Sequence, residues 1–152
     1  MSSAPKRTLY VADTHSLAWY LLDSSKLSPA ADRAFCQVEQ GQARLLVPAI
    51  VVAELIFIVE RGRLSTGIDE LLRQIESAGN FEICTLGQDQ LACLKEQRTI
   101  STMHDCFIVC EALLRQAKLI TKDEEIHRSS TPSWLIENLH MALAISPYTH
   151  LA

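Results

Sequence analysis

The chain has 152 residues, 48% of them hydrophobic and 21% charged, and a net charge of −4. That length suits one domain able to bury roughly two-thirds of the surface its unfolded form exposes. The mild acidity gives no support to a broad phosphate-binding surface, so contact with nucleic acid has to come from a local basic patch.

No stretch approaches the ~18 consecutive apolar residues of a membrane helix. Residues Met1 to Arg7 lead into a strand-like run without a long apolar segment. The expectation is a cytoplasmic protein with no membrane contact. The five cysteines are an odd count and include no Cys-x-x-Cys pair. They read as small buried hydrophobes rather than a zinc or disulfide framework.

In chain order, Thr8 to Ala12 reads as a short buried strand that ends at Asp13. A helical stretch follows and stops at Asp23-Ser24-Ser25. A ligand of an open α/β sheet binds beyond the carboxyl ends of the strands, where Asp13 falls. Capping of the next helix is an equally good reading of Asp13. Ser28 and Pro29 open a second helix as N-cap and first helical residue, and it runs to about Gln40 before Gly41 breaks it. Arg44 to Val47 is a second strand, and Pro48 starts a helix over Ala49 to Glu60. Being apolar all round, that helix is expected to be buried on most sides, with Arg61-Gly62-Arg63 closing it.

Ser65 to Ala78 reads as an exposed amphipathic helix with Ile68, Leu71, Leu72 and Ile75 on one face. Phe81 to Cys84 is a strand, Gln88 to Gln97 a helix, and Arg98 to Thr102 a loop. Met103 to Gln116 forms a helix whose inner face is marked by Ile108, Val109, Ala112, Leu113 and Gln116, with Asp105 one turn earlier on the same face. Lys118 to Ile120 is the last clear strand, and Thr121 and Asp123 follow it. Alternating strands and helices predict a three-layer α/β/α domain with a short, largely parallel central sheet. The domain is expected to span 1–152 with its core at about 8–134. Residues 135–152 could form a C-terminal helix and tail, packed on the domain or on a partner.

Glu54 poses the sharpest question. It interrupts an otherwise apolar run from Ile50 to Val59. An ionised carboxylate removed from water needs a cation, a hydrogen-bond donor or a cleft wall, or else its pKa rises. Asp13, Asp105 and Asp123 also stand beside strand-like or helix-like segments. Each has a plain structural reading: helix-dipole acids for Asp105 and Asp123, and pairing with Arg61 or Arg98 for Glu54. Taken together they read as one site.

Four segments carry a family resemblance: Val11-Ala12-Asp13-Thr14-His15, Pro48 to Leu55, His104 to Ala112, and Leu119 to Asp123. In order, spacing and context they resemble the acidic motifs of the PIN-domain family, and most of all those of the VapC-type ribonuclease toxins of VapBC toxin–antitoxin pairs. The resemblance covers roughly Leu9 to Trp134. It implies a magnesium- or manganese-dependent endoribonuclease, the toxin of a type II pair. Asp13, Glu54, Asp105 and Asp123 would be its catalytic, metal-holding quartet, and Thr121 the hydroxyl supporting them. It further implies an RNA substrate, a small antitoxin protein whose tail enters the acidic cleft, and a homodimer. Two departures stand out: Cys106 occupies a position often held by arginine, and Cys110 and Glu111 replace usually small residues.

The chemistry agrees with the residue types. Magnesium and manganese are hard cations that prefer oxygen ligands. Carboxylates from distant segments can hold them beside a phosphate, where they activate water for in-line attack. Asp13 and Asp105 are the expected direct ligands, with Glu54 and Asp123 acting through water or as a second set. His15 and His104 read as bystanders or hydrogen-bonding neighbours, and Trp19 and Trp134 as core or interface aromatics. Arg61, Arg63, Arg98, Lys122 and Arg128 are candidate RNA contacts. The alternative function is a catalytically silent PIN-like module that binds RNA or protein. A phosphate-accepting receiver domain ranks lower, because Thr14-His15 rather than a second acid follows Asp13.

Overall fold

The computed structural model describes residues 6–97, 100 and 102–121. Asp123, Arg98, Lys122, Arg128, Trp134 and the 135–152 segment lie outside the described residues.

Among the described residues, four strands form one all-parallel sheet: β1 (Thr8–Ala12), β2 (Ala43–Pro48), β3 (Phe81–Cys84) and β4 (Lys118–Ile120), in the order β3-β2-β1-β4. β1 is central, pairing Val11 with Leu46 on one side and with Leu119 on the other. The near-continuous apolar strands follow from burial on both faces, the usual state of a parallel sheet. Tyr10, Val11, Ala12, Leu45, Leu46, Val47, Leu119 and Ile120 are all in the core.

Six helices are described alongside the sheet: α1 (Thr14–Leu21), α2 (Pro29–Glu39), α3 (Ala49–Glu60), α4 (Ile68–Ser77), α5 (Gln88–Glu96) and α6 (Met103–Arg115). The first four connect β1 to β2 and β2 to β3, stepping one way across the sheet. The last two carry the chain back to β4, on the far side of β1. Right-handed crossovers running in opposite directions account for helices on both faces of the sheet, the α/β/α layering expected, with α3 also packed against α6. The direction of travel reverses between β1 and β4, and a crevice opens at their carboxyl ends.

Local chemistry sets the element ends. Ser28 Oγ accepts from the Ala31 backbone N–H at 3.1 Å, with Pro29 in the first turn of α2. Gly62, at φ +69°, follows α3 in a left-handed conformation that costs glycine little. α4 begins only at Ile68, three residues later than its amphipathic pattern suggested, because Gly67 takes the N-cap position. Its Leu71 and Ile75 are buried, so that helix is an integral part of the core rather than a loosely attached one.

Two expectations need correcting. α3 is not buried on most sides: only Val51 and Leu55 are fully buried, while Ala53 is exposed and Phe57 is 58% exposed. An all-apolar helix gives no moment to show which side faces the core, and here just one stripe does. On α6, Gln116 is exposed rather than inward, since it is the left-handed C-cap residue at φ 51° where the helix has already ended. The buried stretch of α6 instead runs without a break from Cys106 to Ala112 and takes in Cys110 and Glu111.

Cys84, Cys106 and Cys110 are buried thiols outside any disulfide among the described residues, in keeping with cysteine as a packing residue. Glu111, 2% exposed, accepts from Gln90 Nε2 at 3.0 Å and lies 3.8 Å from Arg115. The buried charge on α6 is thereby partnered, and α5 is tied to α6.

Candidate functional site

Asp13 is the first residue beyond β1. Its backbone N–H donates to the Ile120 carbonyl at 3.0 Å, tying it to the end of β4. The residue is 5% exposed, and its carboxylate is satisfied on both oxygens. Oδ1 accepts from the Ser16 backbone N–H at 2.8 Å, and Oδ2 accepts from the Thr121 hydroxyl at 2.5 Å. Helix capping and a place at the crevice are therefore compatible in one side chain. One carboxylate oxygen starts α1 and the other is oriented by Thr121 across the switch point.

Glu54 sits on α3 one residue before the buried Leu55, half-buried at the edge of the core stripe. Burial raises its pKa above the ordinary carboxylate value, and the Asp13 charge adds to the rise. The His104 imidazole and the Thr14 hydroxyl oppose it. Of the two arginines considered as its partner, Arg61 lies over the Phe57 ring at 5.2 Å, and Arg98 is outside the described residues. The Thr14 hydroxyl is close enough to favour the carboxylate, yet it has no hydrogen bond of full geometry among the described residues despite being buried.

Asp105 stands in the first turn of α6. The Thr102 hydroxyl donates to its Oδ2 at 2.6 Å and accepts from its backbone N–H at 3.3 Å. This reciprocal cap, T-x-x-D, starts the helix and aims the carboxylate.

Asp13, Glu54 and Asp105 line one pocket of about 180 Å³, together with Thr14, His15, Thr102, His104 and Ile108. Three acids from three distant segments thus come together, with Thr121 behind Asp13. Asp123 lies outside the described residues. Thr14 and Thr102 are the pocket residues that sequence reasoning missed. The T-x-x-D spacing gave a usable signal for Thr102, and none existed for Thr14.

Among the described residues, no group of three or more His, Cys, Asp or Glu side chains is arranged to hold a metal ion. The donor chemistry nevertheless suits a hard divalent cation. All three acids offer oxygen, burial disfavours the charged form of Glu54, and the buried Thr14 hydroxyl faces the same space. Magnesium keeps several of its waters, so a pocket lined by three carboxylates can hold it without closing a full protein shell.

A larger groove of about 600 Å³ lies along α1 and α2, lined by Trp19, Tyr20, Leu27 and Pro29 together with the acids Asp23, Asp32 and Glu39. Asp13, Glu54 and Asp105 do not line it. The smaller pocket holds the convergent carboxylates and is the candidate site.

The molecule is thus a parallel α/β domain with carboxylates gathered at the point where its strand order reverses. Residues 10–130 match the PIN domain family model, and the chain belongs to that family. Solved structures share the fold. VapBC2 from Rickettsia felis, bound to a DNA fragment from its promoter, superposes with TM-score 0.62 at 17% identity, covering 81% of this chain and 94% of the other. DNA-bound VapBC from Salmonella typhimurium gives 0.61 at 17%, covering 81% and 93%. A toxin-antitoxin complex from Klebsiella pneumoniae gives 0.50 at 18%, covering 76% and 86%. No curated protein matches the sequence. Among the described residues, no helix is long and apolar enough to cross a membrane.

Proposed function

We propose that this protein is a divalent-metal-dependent endoribonuclease and the toxin of a type II toxin–antitoxin pair. The observation that carries the reading is the meeting of Asp13, Glu54 and Asp105 in one pocket at the switch point. Asp123, three positions beyond Ile120 at the end of β4, is proposed as the fourth acid.

On this reading Asp13 and Asp105 would hold the ion directly; each carboxylate accepts a hydrogen bond from a threonine hydroxyl. Glu54, whose charged form is disfavoured by burial and by Asp13, gains most from a cation beside it. When bound, a magnesium or manganese ion supplies a water of lowered pKa and neutralises charge on the phosphate. The chain supplies the rest. Thr121 and Ser16 fix Asp13 before any ligand arrives, and the walls from α1, α3 and α6 limit the approach to the pocket mouth. Such fixed geometry is what positions a phosphodiester for in-line displacement.

The partners follow from the same reading. Structures of similar fold are toxin–antitoxin assemblies, which supports a small antitoxin as inhibitor; an arginine from its tail would pair with the pocket carboxylates. A homodimer is proposed alongside it.

The test is cleavage of RNA with and without manganese, comparing wild type with Asp105→Asn. Metal-dependent cleavage lost in the variant is expected. Equal cleavage by both proteins would refute the assignment, and RNA binding without any cleavage in manganese would favour the silent binding module instead.

A further inference from the structure

An anionic substrate entering a pocket walled by three carboxylates needs donors to receive its phosphate. Among the described residues that line the pocket there is no lysine or arginine. The side-chain nitrogens there belong to His15 and His104. His15 is half-buried and lies against the Trp19 ring, with centroids 6.0 Å apart. The Thr102 hydroxyl is engaged with Asp105, and the Thr14 hydroxyl is buried beside Glu54. His104 differs from all of these: it is exposed, in the first turn of α6, and near enough to Glu54 to act on its carboxyl. The backbone N–H groups of that first helical turn also favour an anion nearby.

We propose that His104 is a substrate-contacting residue that donates an imidazole N–H to a phosphate oxygen of the RNA, seating the phosphodiester over the three acids. An imidazole carries at least one N–H in either protonation state, so this contact does not depend on its titration. The proposal rests on the nuclease reading for its substrate, and it assigns to the pocket mouth a phosphate contact that the acids cannot make.

The experiment has two arms. In the first, His104→Ala and His104→Gln are compared with wild type in manganese-dependent RNA cleavage. Loss of one bond to a charged phosphate is expected to raise KM about tenfold or more, with kcat changed far less. His104→Gln, which keeps a side-chain N–H, is expected to recover part of the loss. In the second arm, His104→Ala is placed in an Asp13→Asn background, and binding of a fluorescent single-stranded RNA is measured by anisotropy with and without manganese. Affinity is expected to fall about tenfold. Because His104 is exposed, thermal melts should match those of the parent proteins. An unchanged KM together with unchanged RNA affinity would overturn the proposal, as would RNA binding too weak to measure in the Asp13→Asn parent. Failure of the wild type to cleave RNA in manganese is a different result, since it removes the nuclease reading while the binding arm still reports on His104.

Discussion

Asp13 carries two jobs that a pair of substitutions can separate. In Asp13→Ala the Ser16 N–H loses its cap, a change that costs about 0.5–2 kcal/mol. The fully buried Thr121 hydroxyl loses a charged acceptor, worth about 1.5–3 kcal/mol. Removing one carboxylate from beside Glu54 returns part of this, leaving a net loss of about 2–4 kcal/mol. For a chain of this size that lowers Tm by roughly 5–15 °C. Asp13→Asn keeps an oxygen for the Ser16 N–H, and its amide can donate to Thr121 Oγ, whose hydroxyl rotates to accept. Its stability should stay within about 1 kcal/mol of wild type. Both variants should lose RNA cleavage. Melts followed by circular dichroism, with cleavage assays on the same samples, give the comparison. If Asp13→Ala melts with wild type, or Asp13→Asn falls as far as Asp13→Ala, the assignment of the two oxygens is wrong.

Other outcomes follow from particular residues. The folded-state pKa of Glu54 lies above its unfolded value, so the folded protein binds more protons and wild type loses stability as pH rises through that interval. Metal-free Glu54→Gln should lack this loss and be the more stable protein at neutral pH; urea titrations at acidic and neutral pH would show parallel curves if the reasoning fails. On α3, Leu55→Ala should cost about 2–5 kcal/mol, whereas Phe57→Ala, at an exposed position, should cost less than about 1 kcal/mol. Equal losses in chemical denaturation would contradict the single buried stripe. Burial pushes the Cys84 thiol up to about 12 and raises that of Cys110. Cys36 and Cys93 are only half-buried, so thiol labelling of the folded protein should reach these two and spare the buried Cys84, Cys106 and Cys110. Rapid modification of Cys84 would count against its buried placement.

Much of the fold was legible in the chain because its signals are local. Ser28-Pro29 announced the start of α2, and Pro48 that of α3, since caps and proline act within a turn of themselves. Alternation of short apolar strands with helices was enough to give a parallel sheet. The α3 exposure was not legible, because a helix apolar on every side has no pattern to say which stripe meets the core. Gln116 was misplaced for a related reason: its spacing matched the inner face, but the helix stops one residue earlier in a left-handed cap.

For the site, residue order was sufficient to nominate the acids, since a lone carboxylate in an apolar run has to find a partner. It took the folded chain to bring Asp13, Glu54 and Asp105 into one pocket, to set Thr121 against Asp13 from 108 positions away, and to stand His104 at the mouth. Sequence spacing governs what happens within a few turns of chain. Distances between segments are set by strand order and helix packing, which place the end of β1 beside the end of β4 and bring α3 and α6 together.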